Sequence, residues 1–388
     1  TLSFADEGEK GRYIWRPNPK SHLSKSVSPI LPDDWRRFIC VENGTLKKED
    51  AYILKPGECH TLTRVIRLTS TYDNAKPINL QDQIETVAKA GGGRVTVPAG
   101  EWFTKAVHLR SNVELHLDDN ATLVFSDDPK DYLPMVKTSW QGEEMMNYSP
   151  LVYAYGVTNV AITGKGLLKT ENKPWREWFG RDRSRRRPQF IQFFGCRQVR
   201  LEDFSIEGTP FWTVHLYRTE DVTVKNLTVT AFNRDGVALM NSDGLDIECS
   251  RRVRVSGCSF TQDDDAIVLK SGRDLDGIRR GIPTEDVLVE NCVVPKGHVL
   301  FAIGSEVGGG VRNVTMRNCR VHGSVGRLLF VKTNAKRGGF IENIVMEDIE
   351  ADGVRDDVVA LMADYWYYPK PGLKNLRRTP IRGVTARN

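Results

Sequence analysis

Short segments that alternate apolar and polar residues recur along most of the chain. Each alternation predicts a strand with one buried face. Eight segments share the pattern: NVELHL from Asn112, NVAITG from Asn159, QVRLED from Gln198, DVTVKN from Asp221, RVRVSG from Arg252, DVLVEN from Asp286, NVTMRN from Asn313 and NIVMED from Asn343. From Gln198 onward the starts lie 23, 31, 34, 27 and 30 residues apart, a spacing typical of solenoid repeats.

A second short strand follows almost at once in these repeats, as FSIEG, LTVTA, CSFTQ, CVVPK, CRVHG and IEADG. The residue types at the junction tolerate a left-handed backbone, which bends the chain sharply. The junction residues are Asp203, Asn226, Gly257, Asn291, Asn318 and Asp348. The spacing is too irregular for a propeller, and it predicts an all-β chain folded as a right-handed parallel β-helix.

The chain has seven cysteines and no CxxC pair, which argues against a zinc ribbon or a redox motif. Cys258, Cys292 and Cys319 each follow a bend residue directly. Equivalent positions of stacked coils lie above one another, so we expect these thiols to form a buried ladder with a structural role.

A stacked coil leaves an open edge that needs a cap. Residues 79–91 predict a capping helix, with Asn79 as N-cap, Asp82 in the first turn and Gly91 at the end. Leu80, Ile84, Val87 and Ala88 form its apolar face. We therefore expect a β-helix domain over residues 78–388 and an accessory β-rich region over residues 1–77. The final RGVTARN resembles the start of a further coil, which predicts that the carboxyl-terminal cap is absent from this chain.

Charge and hydropathy exclude some function classes. No apolar stretch is long enough to span a membrane. A net charge of +5 is mild for 388 residues and does not indicate nucleic-acid binding, although it suits an acidic polymer. The basic cluster RDRSRRRP at 181–188 is either a solvated loop or a polyanion contact. The first residues, TLSFADEGEK, carry no signal-peptide pattern.

Candidate chemistry is concentrated in consecutive coils. NSDG occupies 241–244, the triplet Asp263 to Asp265 follows, and His298 and Lys332 come from the next coils. Neighbouring coils lie roughly 4.8 Å apart, so these side chains can face one another. A carboxylic acid that protonates a leaving oxygen and a carboxylate that activates water are the groups needed for glycoside hydrolysis. The alternative is that the acidic loop binds a cation such as calcium.

The segment NSDGLDIECSRRVRVSGCSFTQDDDAIVLKSG, at 241–272, resembles the core of glycoside hydrolase family 28, the polygalacturonase family. That family has Asn-Thr-Asp-Gly, Gly/Gln-Asp-Asp, Gly-His-Gly and Arg-Ile-Lys motifs. The resemblance extends from about Ile78 to Asp352 and includes NYSPLVYAYG, GKGLL, RPQFIQF, PFWTVH, KSGRD, IGSE and KTNAKRGG, which are similar to the bacterial branch. It implies a pectin-lyase-like solenoid that needs no cofactor and no metal.

The resemblance also implies roles for the carboxylates. Asp264 lies 21 positions after Asp243 and matches the general acid, while Asp243 and Asp265 match the pair that holds and activates water. Asp263 takes the place of the usual Gly or Gln and is expected to modulate charge. A second NxDG at 233–236 is 29 positions from the acid, so its Asp235 is not the expected residue.

The remaining motifs are altered. His298 matches the histidine that tunes the acid, although the motif reads GHV. Lys332 matches the lysine that holds a sugar carboxylate, but Phe330 replaces the arginine of that motif. Phe cannot make bidentate contacts with a carboxylate and would suit the methyl group of rhamnose. Lys270 and Arg273 are expected to supply other anion contacts.

The sequence therefore predicts an inverting glycoside hydrolase that cleaves α-galacturonosyl linkages in pectic poly- or oligosaccharides. The insertions at 130–150 and 172–188 would favour exo action if they wall off one end of the cleft. A rhamnogalacturonan-type galacturonohydrolase, an inactive pectin-binding β-helix and a calcium-dependent lyase are the alternatives. The substrate class places the protein outside the cytoplasm, secreted or periplasmic.

Overall fold

The computed structural model describes residues 2–4, 13–15, 40–42, 66–68, 75–172, 175, 186–365 and 377–388. The chain divides into two units, Thr1–Asp73 and Asn74–Asn388. The first unit contains two antiparallel strand pairs, Leu2–Phe4 with Ile66–Leu68 and Tyr13–Trp15 with Cys40–Glu42. The predicted boundary at residue 77 between an accessory region and the β-helix stays a prediction. Most of residues 1–77 lies outside the described residues.

The second unit is a right-handed parallel β-helix, which confirms the predicted fold. Each coil contributes to three parallel sheets, which we call the site sheet, the second sheet and the third sheet. The site sheet contains Val107–His108, Val152–Tyr155, Ile191–Phe194, Val214–Tyr217, Leu245–Glu248, Ile267–Lys270 and Val359–Met362.

The other two sheets complete the coils. The second sheet contains Gly93–Val97, Val113–Leu117, Thr158–Gly164, Arg197–Glu202, Glu220–Lys225, Arg251–Ser256, Thr284–Glu290 and Ile381–Arg387. The third sheet contains Lys76–Pro77, Gly100–Thr104, Ala121–Phe125, Leu167–Lys169, Ser205–Glu207, Thr228–Thr230 and Ser259–Thr261. Three long strands bend from sheet to sheet: Val293–Ile303, Val311–Lys332 and Ile341–Ala351.

The sequence pattern predicted two strands per coil, and the structure has a third, in the site sheet. Most of its strands do not alternate, because both of their faces are buried, whereas Val359–Met362 is partly exposed. Every residue of Leu245–Glu248 and of Ile267–Lys270 is buried. An antiparallel hairpin, Val136–Trp140 with Glu143–Asn147, covers part of the outward face. A strand buried on both faces cannot be recognised by periodicity.

All six predicted bend residues have a left-handed backbone, with φ from 51° at Asn318 to 74° at Asp203. The first residue of each alternating segment is also left-handed, for example Asn159 at φ 55°, and this second bend was not predicted. The bend amides bond from coil to coil. Asn159 Nδ2 donates to Asn112 Oδ1 at 2.9 Å, and Asn226 Nδ2 donates to Asp203 Oδ1 at 2.8 Å. Asn and Asp at the bends therefore adopt the left-handed backbone and also form side-chain hydrogen bonds between neighbouring coils.

The interior contains stacked aliphatic and aromatic side chains together with the predicted thiol ladder. Cys258, Cys292 and Cys319 are all buried free thiols. The Cys292 thiol donates to the Glu290 carbonyl oxygen at 3.4 Å, and the Cys258 thiol donates to the equivalent Ser256 carbonyl oxygen at 3.4 Å. Each fully buried aliphatic side chain contributes about 1.5–3 kcal/mol, so the repeated inward positions hold the coils together.

The predicted capping helix spans Leu80–Lys89, and the Asn79 side chain accepts a hydrogen bond from the Asp82 amide at 3.3 Å. Leu80 and Ile84 are buried against the first coil. A second helix, Asp274–Arg280, and a 3-10 turn, Pro129–Tyr132, lie in insertions.

At the carboxyl end Ile381–Arg387 pairs in parallel with Ile341–Ala351, as the resemblance of RGVTARN to a new coil suggested. None of the described helices combines the length and apolar character needed to cross a membrane.

Candidate active site

The outward face of the site sheet carries an unusual set of buried polar groups. Alternate residues of each strand point away from the core, and equivalent outward residues stack from coil to coil. One column contains Gln192, His215, Asp246, Val268, Ala302 and Phe330. A second column contains Phe194, Tyr217, Glu248, Lys270 and, one coil beyond Gly304, Lys332.

Loops of consecutive coils bring the candidate residues to one edge of this sheet. Asp243 and the pair Asp264 and Asp265 each come directly before a site-sheet strand. The Gly244 amide donates to the Asp265 carbonyl oxygen at 3.0 Å, and the His298 amide donates to the Asp264 carbonyl oxygen at 2.9 Å. The coil ladder itself therefore aligns the three acidic side chains with His298.

The close approach of these coils depends on Gly244. A Cβ at this position would lie 2.6 Å from the Ala266 carbonyl oxygen and 2.7 Å from the Phe260 ring. These distances are too short for any side chain. The glycine of NSDG thus allows the Asp243 loop to pack directly on the loop of the next coil.

Asp265 is the anionic centre of the site. Its side chain is 1% exposed; Lys332 Nζ donates to its Oδ2 at 2.5 Å, and His298 Nδ1 lies 3.1 Å from its Oδ1. Burial alone would raise the pKa of Asp265, but the Lys332 cation and the His298 hydrogen bond outweigh it and hold the pKa well below its usual range. These contacts favour the ionised form of Asp265.

Asp264 differs from its neighbour in exposure and protonation. Its side chain is 29% exposed and is the more accessible of the two carboxyls. Burial and the Asp265 charge raise the pKa of Asp264. Its Oδ1 accepts from the Asp265 amide at 3.0 Å, which fixes the carboxyl orientation. The environment therefore favours a carboxylic acid that keeps its proton and faces the cleft.

Asp243 is 4% exposed. Burial, and next the charge of Asp264, raise the pKa of Asp243 well above its ordinary value. The three carboxyls therefore share fewer than three negative charges, because like charges at this spacing disfavour joint ionisation. The pKa of Asp265 is therefore lowered, whereas the pKa values of Asp243 and Asp264 are raised.

His298 is exposed enough to reach a ligand, with 42% of its side chain accessible. Its hydrogen bond to Asp265 raises the pKa of His298 despite partial burial. The ring nitrogen Nδ1 also lies 3.9 Å from Asp264 Oδ1. A protonated His298 therefore stands beside the candidate acid and stabilises its ionised form.

Lys270 and Arg273 are placed close to the site, but other carboxylates already pair with both cations. Lys270 Nζ is 3.2 Å from Glu306 Oε2 and 3.8 Å from Asp246 Oδ1, and its side chain is 6% exposed. Arg273 Nε is 3.5 Å from Glu143 Oε1, with 15% of the side chain exposed. Their expected contacts with a substrate anion stay predictions.

Phe330 is 3% exposed, so little of its ring is open to a sugar methyl group. The Arg327 guanidinium carbon lies 4.7 Å from the ring centroid, and Lys332 Nζ lies 5.3 Å from it. Tyr365 packs edge-on against the same ring at 5.8 Å. Phe330 also packs with the buried side chains of Val268, Val299 and Ala302, and its predicted role in binding rhamnose stays a prediction.

The other two acidic candidates lie on exposed turns. Asp263 is exposed next to the buried pair. Asp235 is also exposed, in a turn closed by Asn233 Oδ1, which accepts from the backbone amides of Asp235 and Val237. Neither position is buried as Asp243 and Asp265 are.

A buried arginine near the acid was not found from the sequence. Arg187 donates to the carbonyl oxygens of Pro210 and Met240 at 2.8 Å, and to Asn241 Oδ1 at 3.4 Å. Asn241 in turn directs its Nδ2 towards Asp264 Oδ2 at 3.5 Å. Arg187 opens the RPQFIQF segment, which was recognised as a family feature without a role for its first residue.

A second unpredicted group supports the site from behind. Arg337 is completely buried; it donates to Asp274 Oδ1 at 2.9 Å and Ser305 Oγ at 3.0 Å, and lies 3.8 Å from Glu306 Oε1. Glu306 pairs with Lys270, and the surrounding cations lower the pKa of Glu306 to about 2 despite its burial. The segments IGSE and KTNAKRGG supply Glu306 and Arg337, so the family motifs did carry a signal.

The distances would also permit a cation. One ligand atom each from Asp264, Asp265 and His298 lie within 4.8 Å of one another. Lys332, however, already places a positive charge 2.5 Å from Asp265. A metal ion there would face the charges of Lys332 and protonated His298, so the arrangement favours proton transfer over metal binding.

The chain is similar in sequence to several known proteins. The family model described as "Glycosyl hydrolases family 28" matches residues 91–388. The "Probable polygalacturonase" of Vitis vinifera is 28% identical over 276 residues, covering 68% of this chain and 55% of the relative. "Endopolygalacturonase A" of Aspergillus niger is 24% identical over 296 residues, covering 75% of this chain and 69% of the relative. The chain thus spans little more than half the length of the grape relative.

Solved structures show the same similarity. The hyperthermoactive exopolygalacturonase from Thermotoga maritima superposes with a TM-score of 0.68 and 34% identity, covering 79% of this chain and 76% of that chain. The family 28 exopolygalacturonase of Yersinia enterocolitica has a TM-score of 0.62 at 19% identity, covering 84% of this chain and 68% of that chain. At 19% identity the second likeness concerns the fold alone.

Proposed function

Because the chain belongs to glycoside hydrolase family 28, we propose that it hydrolyses α-galacturonosyl linkages in pectic polysaccharides. The observation that carries the proposal is the contrast between Asp264 and Asp265. A partly exposed carboxylic acid with a raised pKa lies beside a buried carboxylate that Lys332 keeps ionised. Glycoside hydrolysis needs such a pair of carboxyls, separated in pKa by their environments.

In the proposed mechanism Asp264 donates its proton to the leaving glycosidic oxygen. Asp265 accepts a proton from the attacking water, and Asp243 holds that water by hydrogen bonding. Attack from the face opposite the leaving oxygen inverts the anomeric carbon. Lys332 stabilises the Asp265 anion and presents its cation to a substrate carboxylate, while His298 adjusts the proton affinity of Asp264 through its positive charge.

The hairpin Val136–Trp140 with Glu143–Asn147 supports exo action. Trp140 stacks on Phe211 at 5.2 Å, and the Ser139 carbonyl oxygen accepts from Gln192 Nε2 at 3.0 Å. These contacts fix the hairpin over the outward face on the amino-terminal side of the carboxyls. We infer that the hairpin would obstruct a polymer on that side of the carboxyls, so that a chain end would enter from the other side. The second expected wall, 172–188, lies largely outside the described residues.

The test compares homogalacturonan and rhamnogalacturonan oligosaccharides as substrates. We expect saturated products released from the chain end, with inverted anomeric configuration in proton NMR spectra recorded early in the reaction. Products absorbing in the ultraviolet, with loss of activity in a chelator, would instead establish a lyase. Binding of either oligosaccharide without cleavage would contradict hydrolysis and leave an inactive pectin-binding protein. A polymeric wall substrate also implies a location outside the cytoplasm.

His298→Gln should move the pH profile of kcat/KM to higher pH. The His298 cation lowers the pKa of Asp264, and its hydrogen bond lowers the pKa of Asp265. Without the imidazole of His298, Asp264 keeps its proton to higher pH. The descending limb of the kcat/KM profile therefore moves to higher pH. Asp265 ionises at higher pH, so the ascending limb moves up too. Stopped assays across the pH range measure both limbs.

The matched control for this prediction is His322→Gln. His322 Nδ1 lies 3.2 Å from Asp352 Oδ2, but both side chains are exposed on another part of the β-helix. This variant should keep the wild-type profile. Limbs that stay in place in His298→Gln would show that His298 does not tune the carboxyls.

A further inference from the structure

Arg327 lies beside the site and has no part in the mechanism above. It pairs in register with Val299 of the neighbouring coil, one residue beyond His298, and its side chain is 16% exposed. We propose that Arg327 binds the carboxylate of a second uronic acid unit of the substrate and so selects free acid over ester. The inference rests on the proposed function, because it concerns the same cleft.

The position of Arg327 relative to Lys332 supports this. The Arg327 guanidinium carbon is 4.7 Å and Lys332 Nζ is 5.3 Å from the centroid of the Phe330 ring, so the two cations lie no more than about 10 Å apart. Lys332 in turn contacts Asp265. Arg327 therefore stands within about 10 Å of Lys332 and the carboxyls that Lys332 contacts, where a neighbouring sugar unit of a bound chain would lie.

The guanidinium has unused donors. Within the part of the chain that the structure describes, Arg327 makes ion pairs at 3.4 Å with Asp356 Oδ2 and with Asp357 Oδ2, but donates no hydrogen bond. Those carboxylates are 47% and 64% exposed. Exposed pairs at such distances contribute little stability, so an incoming carboxylate can replace them.

The Phe330 ring orients the Arg327 guanidinium. Arginine stacks on aromatic faces through cation–π contacts, which orient its planar fork without consuming its N–H donors. The residue that replaces the motif arginine therefore serves as the platform for another arginine of the same strand. Phe330 stands where the family motif has arginine, and Arg327 supplies a guanidinium three positions earlier in the same strand.

The chemistry of the ligand follows from that fork. A carboxylate accepts two parallel charge-assisted hydrogen bonds from arginine, roughly twice as strong as neutral bonds. A methyl ester has no charge and cannot accept them in the same way. Arg327 should therefore favour substrates whose uronic acid next to the cleaved unit is unesterified.

The experiment measures kcat/KM for Arg327→Gln on free-acid and on fully methyl-esterified oligogalacturonates. Loss of charge-assisted bonds should lower the value for the free acid on the order of 10- to 100-fold. The value for the ester should change less than about 3-fold, and Arg327→Lys, which keeps charge without the fork, should fall between wild type and Arg327→Gln.

Arg312→Gln is the matched control, because Arg312 also lies over an aromatic ring, Phe340 at 5.8 Å, and pairs with a carboxylate, Glu285 at 2.6 Å. It should behave as wild type with both substrates. Equal losses on free acid and ester in both Arg327 variants would overturn the inference.

If the wild-type chain cleaves neither substrate, the proposed function fails, and calorimetric binding of trigalacturonate still tests Arg327. A tenfold weaker affinity of Arg327→Gln would support the inference, and equal affinities would refute it.

Discussion

Replacing Asp264 with asparagine should lower kcat for hydrolysis about 10³-fold, within the range attributed to general acid catalysis. Asparagine keeps the shape of the side chain but has no proton to give to the leaving oxygen. The carboxylate of Asp265 and its contacts with Lys332 and His298 remain, so substrate binding should change little. The measurement is kcat and KM on the oligosaccharide that the wild-type chain cleaves, with products separated by chromatography.

Asp235→Asn is the control for this loss. Asp235 also belongs to an NxDG segment but lies on an exposed turn, so its amide variant should retain wild-type kcat. Near-normal activity of Asp264→Asn would assign the proton to another group, and Asp243, whose pKa is also raised, would be the next residue to replace. Unchanged melting midpoints of both variants would show that the effect is catalytic.

Arg337→Met should lower the free energy of unfolding by about 3–5 kcal/mol, the cost of breaking a buried ion pair on one side. Arg337 is fully buried, and its removal leaves Asp274 and Glu306 with less compensating charge. Methionine fills much of the volume, so the loss is electrostatic. Because Glu306 also holds Lys270, we expect a lower kcat as well. Urea unfolding measures the stability.

The exposed pair of Arg251 with Glu220 provides the comparison. Their atoms lie 2.9 Å apart, but the arginine side chain is 45% exposed. Arg251→Met should cost less than about 1 kcal/mol, as surface ion pairs do. A comparably small cost for Arg337→Met would mean that the network behind the site does not stabilise the fold.

The sequence predicted one set of bends, but it did not predict the site sheet as a whole. Asn226 and Asn318 were recognised as bends because Asn and Asp tolerate a left-handed backbone wherever they stand. The arginine at position 252 adopts the same backbone, with φ 54°, although its type gives no such indication. The apolar run after Asp265 was recognised as a buried strand, but the site sheet as a third sheet of the coil was missed, because burial on both faces removes the alternation.

The order of the motifs along the chain likewise predicted which residues meet. The places of these residues in consecutive coils predicted that the carboxyls, His298 and Lys332 can face one another, and the resemblance to the family implied that Asp243 and Asp264 are the relevant aspartates. Neither could predict that Lys270 and Arg273 are already paired with Glu306 and Glu143. Those partners come from loops far away in the sequence.

The sequence by itself determined the β-helix, its capping helix and the set of acidic residues at one edge, because alternation, bend propensity and motif spacing depend on residues close in the chain. Only the tertiary structure decided which carboxyl is ionised, which cation is engaged and where Arg327 stands. A pKa depends on burial and on charges within a few ångströms, and Lys332, which holds Asp265 ionised, is 67 residues away along the chain. These residues come within a few ångströms of one another only when the coils have stacked.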